Sequence, residues 1–170
     1  MIISPDDYLF DLNGKYRWTP DRVKAAWEHA YSGLHDAVRW TEPRKVVVVC
    51  GIPASGKSTW IRKNRESNTV YFDACLDLPW KREKILRLIR NAAWDHYKAT
   101  NQDGRAGVGP RFELVWCNPT PTRAHQWNAS RSKDRRVPRE IIDKMASYFS
   151  ANRPNGKREG FDAMKTVYRD

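Results

Sequence analysis

Two hydrophobic rhythms alternate along this chain. Val46 to Val49 is a run of four β-branched residues, the pattern of a parallel strand buried on both faces. Residues 69–73 and 112–117 read as further strands, and residues 1–4 as a short one broken by Pro5. Between them the period changes to that of a helix. Val23, Ala26, Trp27, Ala30, Leu34, Ala37 and Val38 share one face over residues 20–39, with Thr19 as N-cap and Pro20 as first helical residue. Ile85, Leu88, Ile89, Ala92 and Ala93 mark a second long helix over residues 80–100. Shorter helices are expected over residues 59–63, from about 120–122 toward 130, and over 138–149. Residues 11–18, with Asn13-Gly14, read as a turn or short hairpin. Residues 101–110 read as a Gly-rich loop, 150–160 as a polar turn-rich stretch, and the last ten as a short docked element. Strands alternating with helices predict one α/β domain whose parallel sheet is covered on both faces.

The first strand of the core runs into Gly51-x-x-x-x-Gly56-Lys57-Ser58, a complete phosphate-binding loop spacing. Gly51 and Gly56 permit the tight turn that aims successive backbone N–H groups at phosphate oxygens. Lys57 reaches the β- and γ-phosphates in such a loop, and the Ser58 hydroxyl ligates Mg2+. Strand before and helix after make this a nucleoside triphosphate site. At the carboxyl ends of the same strands, where ligands of parallel sheets gather, Asp73 closes one strand and Asp6 and Asp7 follow another. Transfer of a phosphoryl group to a hydroxyl needs a carboxylate to take the acceptor's proton and cations around the moving group. Arg131, Lys133, Arg135 and Arg136 lie between two helices, where a closing lid supplies such cations; the same charges also suit a solvated helix cap, and Asp6-Asp7 a simple turn.

Charge bears on the acceptor. The 170 residues carry 31 Lys and Arg against 20 Asp and Glu, a formal net charge of +11. That balance favours a polyanionic partner, nucleic acid ahead of a membrane surface, with a basic, solubilising surface around an ATP site as the alternative. Eight Trp are many, and aromatic faces stack on unpaired bases, although most fall at apolar, core-like positions. No run of 18 apolar residues and no basic N-terminal region predict a membrane span or a secretory signal. Cys50, Cys75 and Cys117 read as reduced thiols of a cytoplasmic protein. The four His form no metal-ligand pattern, so ATP with its Mg2+ is the expected cofactor set.

The segment from Gly51 to Trp60 resembles the phosphate loop of the polynucleotide-kinase-like P-loop kinases. Trp127-Asn128-Ala129-Ser130-Arg131, followed by Val137-Pro138, Ile141-Ile142 and Met145, is similar to that family's lid motif. Pro154 with Glu159-Gly160-Phe161-Asp162 resembles its C-terminal signature, and Asp73-Ala74 with Pro79 and Arg82 the segment after its third strand. The family's Ser-x-Asp-Asp-Tyr motif normally follows the phosphate-loop helix. Here Ser4-Pro5-Asp6-Asp7-Tyr8 stands at the N-terminus, followed by Gly14 to Trp18 and by Ala26-Trp27-Glu28-His29. The implied arrangement transposes the first two βα units in chain order while each keeps its place in the sheet.

The resemblance implies a P-loop NTPase fold with a small basic helical lid. Residues 1–44 would form the acceptor-side unit, 45–121 the nucleotide-binding core, 122–149 the lid and its following helix, and 150–170 a C-terminal segment. It implies Asp6 as general base, with Lys57 and Arg131 also catalytic. Gly51, Ser55, Gly56, Lys57, Ser58, Thr59, Arg131 and Arg135 would bind ATP, and Ser58 and Asp73 would hold Mg2+. Asp7, Tyr8, Arg17, Trp18 and Arg82 would bind the acceptor. Trp127 stands in place of the lid's first arginine and Leu9 in place of an acceptor-phosphate arginine, so recognition of a 3′-phosphate is not implied. The expected activity is transfer of the ATP γ-phosphate to a nucleic-acid hydroxyl, on DNA rather than RNA: a 5′-OH end or a hydroxymethyl group of a modified pyrimidine. A cytoplasmic, phage-encoded enzyme is implied. Alternatives are a kinase of free nucleosides or other small molecules, and a nucleic-acid-binding ATPase with no phosphoryl acceptor.

Overall fold

The computed structural model describes residues 1–100 and 109–169. Most of the loop expected over 101–110 lies outside the described residues. Five strands, β1 (Ile2–Ile3), β2 (Lys45–Cys50), β3 (Thr69–Asp73), β4 (Arg111–Pro119) and β5 (Ala163–Arg169), form one sheet in the order β1-β3-β2-β4-β5. Every pairing is parallel. The last ten residues are thus a full edge strand rather than a short docked element. Six α-helices accompany the sheet: α1 (Pro20–Thr41), α2 (Lys57–Lys63), α3 (Pro79–Thr100), α4 (Pro121–Ala129), α5 (Arg139–Ala151) and the single turn α6 (Gly156–Glu159). α2 begins at Lys57, two residues before the expected start, because Gly56 itself takes the left-handed N-cap conformation (φ 81°).

The pleat of β2 divides the core. Val46, Val48 and Cys50 join Val70, Phe72, Leu114 and Trp116 on one face, packed against Leu34 and Val38 of α1, Ile85 and Ile89 of α3, Ala124 of α4, and Ile142 and Phe149 of α5. Val47, Val49, Tyr71, Val115 and Cys117 face the other side, where Trp60 and Ile61 of α2 cover them. Both faces carry helix, as the apolar run of β2 requires, but four helices share one face and α2 covers the other. No helix among the described residues is long and apolar enough to cross a membrane. Cys50 and Cys117 are buried, Cys75 is half-buried, and none is in a disulfide.

Arg82, expected at the acceptor site, is instead a core residue with no exposed surface. Its guanidinium donates to both oxygens of Glu159 (2.7 and 2.9 Å) and to the carbonyls of Leu76 (2.8 Å) and Asn152 (3.2 Å). A planar five-donor fork suits this bidentate geometry, and with every nitrogen engaged the side chain ties α3 to the C-terminal segment rather than meeting a ligand. Arg82→Leu leaves the Glu159 carboxylate buried without its cation, with only the Asn155 N–H (3.2 Å) still donating to it, and is expected to cost about 3–5 kcal/mol of folding free energy, read from urea unfolding midpoints.

Candidate active site

The loop from Gly51 to Gly56 leaves the carboxyl end of the central strand and folds back over it. Gly51 adopts φ 150°, and a Cβ there would stand 2.4 Å from the Cys117 carbonyl oxygen and 2.7 Å from Ser55 Oγ. Only glycine lets β2 pass this close to β4. Ala54 has φ 60° and Gly56 φ 81°, so the loop holds two left-handed residues in three, a backbone that curls successive N–H groups inward. Ser55 is fully buried, and its hydroxyl has no hydrogen-bond partner among the described residues. An unsatisfied buried hydroxyl costs on the order of 1–3 kcal/mol, and a phosphate oxygen in the loop would supply what it lacks.

Lys57 is buried and turns its ammonium back onto the loop, donating to the carbonyls of Gly51 and Ile52, each at 3.1 Å, with Cys75 Sγ at 3.8 Å. Burial works against its charge, but Cys75, Asp73 and Asp6 outweigh burial and hold its pKa above the ordinary value. Ser58 Oγ donates to Asp73 Oδ2 at 2.5 Å. Burial pushes the Asp73 carboxyl up, against the pull of Lys57 and the Ser58 hydrogen bond; Asp6 adds to the rise and Arg131 opposes it. One hydroxyl and one carboxylate are hard oxygen donors of the kind that hold Mg2+, which keeps waters and substrate phosphates as its other ligands. No group of three or more His, Cys, Asp or Glu able to hold a metal occurs among the described residues.

Asp6 and Asp7 lie in a short 3-10 turn, Pro5–Leu9, directly after β1. Ser4 fixes that turn: its hydroxyl donates to the Asp73 carbonyl (2.9 Å) and accepts from the Asp6 N–H (3.3 Å). Asp7 is raised from the usual carboxylate range, first by partial burial and then by Asp6 and Asp73. Tyr8 stacks on His29 with ring centres 5.5 Å apart. Beyond it Phe10 pairs with Tyr16 in an antiparallel bridge, which is the hairpin expected from Asn13-Gly14. Arg17 is held by Asp11 at 3.1 Å, and Trp18 is 67% exposed. The Arg17 N–H donates to the Leu9 carbonyl (2.8 Å), which keeps this stretch at the hairpin.

The basic segment between α4 and α5 closes over this hairpin. The buried Asn128 clamps its two ends, donating to the Val137 carbonyl (2.7 Å) and accepting from the Val137 N–H (3.0 Å). The Arg135 guanidinium lies over the rings of Phe10 (5.6 Å) and Tyr16 (6.0 Å). The Asp134 carboxyl is held below its ordinary value, chiefly by the Ser132 hydroxyl, with the Tyr16 backbone adding to the effect. Tyr16 is pushed up to about 12, first by burial and then by Asp6, with Arg135 and Arg131 opposing. Asp6 thus acts on Lys57, Asp73 and Tyr16, and Arg131 on Asp73 and Tyr16. Thr59, half-buried in α2, follows Ser58 without a loop contact of its own.

Sequence reasoning missed two features. Asn128 was read only as part of a motif, although a buried amide flanking a polar loop is a natural clamp. The other is a cavity of about 210 Å3 beside the loop, lined by Ile52, Trp116, Asn118, Pro119, Phe149 and Arg153 among others. It is smaller than the roughly 300–1,000 Å3 of pockets that enclose a whole ligand, and of a size for one planar ring. Its residues come from three distant stretches, so no local pattern announces it.

Comparison of the chain with protein-family models and with curated proteins returns no match. Fold and site together define a parallel α/β protein whose central strand exits into a Gly-x-x-x-x-Gly-Lys-Ser loop.

A carboxyl raised by burial binds its proton more tightly in the folded state, so stability falls as pH rises through that range. Asp73→Asn should therefore melt at or above the wild-type temperature at pH 7 without nucleotide, because the amide still accepts from Ser58. If the loop holds ATP with Mg2+, the two together should then raise the melting temperature of the wild type by more than that of the variant.

Proposed function

We propose that this protein is an ATP-dependent phosphotransferase of the P-loop type that places the γ-phosphate on a hydroxyl carried by a nucleic acid. The observation that carries this reading is the meeting, at one sheet rim, of an anion-shaped loop containing an orphaned Ser55 hydroxyl with a second carboxylate pair, Asp6-Asp7. A bare ATPase has no need of the second feature. The position of β1 beside β3 also supports the transposed order of the first two units, since a parallel strand delivers its end to the same rim wherever it falls in the chain.

In this reading the backbone of Gly51 to Gly56 and the Ser55 hydroxyl cradle the phosphates, and the cavity beside Asn118 and Arg153 receives the nucleobase. Lys57 leaves the Gly51 and Ile52 carbonyls for the β- and γ-phosphate oxygens. Ser58, with Asp73 through water, would hold Mg2+, which supplies charge neutralisation across the phosphates. Asp6 takes the proton of the acceptor hydroxyl as its oxygen bonds to the γ-phosphorus and the bond to the bridging oxygen breaks, releasing ADP. Arg131 neutralises the oxygens of the moving group, a contribution worth about 10³–10⁵ in rate for arginines so placed. Asp7 and Tyr8 shape the acceptor pocket, and the net charge of +11 favours a polyanionic acceptor.

The deciding experiment offers γ-labelled ATP with 5′-OH DNA and RNA oligonucleotides, duplex DNA carrying 5-hydroxymethyl pyrimidines with blocked ends, and free nucleosides. Label is expected on a polymer hydroxyl. Label on free nucleosides alone would replace nucleic acid by a small-molecule acceptor, and phosphate release without labelled acceptor would make the protein an ATPase. Asp6→Asn should abolish transfer and leave ATP affinity within about twofold, whereas Arg131→Ala should lower kcat by about 10³-fold or more.

A further inference from the structure

The hairpin that the basic segment covers is unlike an ordinary surface turn. Residues 8–18 hold Tyr8, Phe10, Tyr16 and Trp18, with Tyr8 41%, Phe10 38% and Trp18 67% exposed and Leu12 wholly exposed at the tip. Cations frame these rings. Lys15 and Arg17 belong to the hairpin, and Arg131, Lys133, Arg135 and Arg136 lie in the segment above it, where Asp134 is the one acid between residues 131 and 136. Arg135 already covers Phe10 and Tyr16, so a base that stacks on them takes the place of its guanidinium, one flat partner for another. The strip begins two residues after Asp6, the carboxylate proposed to take the acceptor's proton.

We propose that this strip holds the acceptor strand by stacking its unpaired nucleobases on Phe10, Tyr16 and Trp18, while Lys15, Lys133 and Arg136 run along its phosphates. This rests on the phosphotransferase reading and adds to it the form of the acceptor. Aromatic faces stack only on bases freed from a duplex, and such binding tolerates any sequence because every base has a π-face. A protein partner would meet the exposed rings but not the row of cations, and a free nucleoside would leave both unused. The strand is therefore single.

Fluorescence anisotropy of a labelled single-stranded oligonucleotide, and of the same strand in a duplex, tests this at several salt concentrations. The wild type is expected to prefer the single strand. Trp18→Ala, and Phe10→Leu, which keeps the apolar bulk on which Tyr16 packs, are each expected to weaken single-strand binding about fivefold or more. The slope of log affinity against log salt should stay unchanged in both, since no phosphate contact is lost. Trp40→Ala, an equally exposed ring at the end of α1, should bind like the wild type. Duplex preference, undiminished affinity in both hairpin variants, or a salt slope that falls with Trp18→Ala would each overturn the stacking surface. Transfer of label is measured on the same samples. Label on a polymer with undiminished affinities sinks the stacking surface alone; weakened variants without any labelled acceptor uphold the surface and sink the kinase.

Discussion

Ser4 accepts the N–H of Asp6 and donates to the carbonyl of Asp73, and these two bonds join stretches 69 residues apart in the chain. Without them β1, only two residues long, would have little hold on where the following turn points. With them the Asp6-Asp7 pair is fixed to the end of the strand that presents Asp73 to Ser58. Distances across the rim are then set by the sheet, whose spacing of about 4.8 Å between neighbouring strands is stiff, and not by a flexible connection. A small hydroxyl at the start of the chain thereby sets the relation between the two carboxylate centres of the site.

Much of this architecture could be read from the residues. The Val46–Val49 run demanded a strand covered on both sides, the Thr19-Pro20 pair marked the start of α1, and the Gly51–Ser58 spacing marked the loop. What escaped detection depended on partners far away in sequence. The resemblance places Arg82 at the acceptor, and only the arrival of Glu159, 77 residues later, allows its burial. β5 was obscure because Lys165 and Thr166 interrupt its apolar pattern, as expected of an edge strand paired on one side only. The cavity beside Asn118 arises where β4, α5 and Arg153 meet, a junction no local window contains.

The basic segment has its own logic. Pinned at both ends by the Asn128 amide, it is a loop of fixed span whose cations cannot wander far, and the contacts of Arg135 with Phe10 and Tyr16 make it move with the hairpin. A displacement of the hairpin is therefore passed through packed rings to the segment that carries Arg131.

Lys57 rests against two carbonyls of its own loop, and Ser58 against Asp73. These two side chains of the loop are thus partnered within the protein, whereas the buried Ser55 hydroxyl beside them is not. If, as we propose, the loop takes a triphosphate, these internal partners are exchanged for external ones, and each new contact contributes only its excess over the bond it replaces. On that proposal the same internal partners stand ready to take back Lys57 and Ser58 when the spent nucleotide departs. A site built this way trades tightness of grip for ease of turnover.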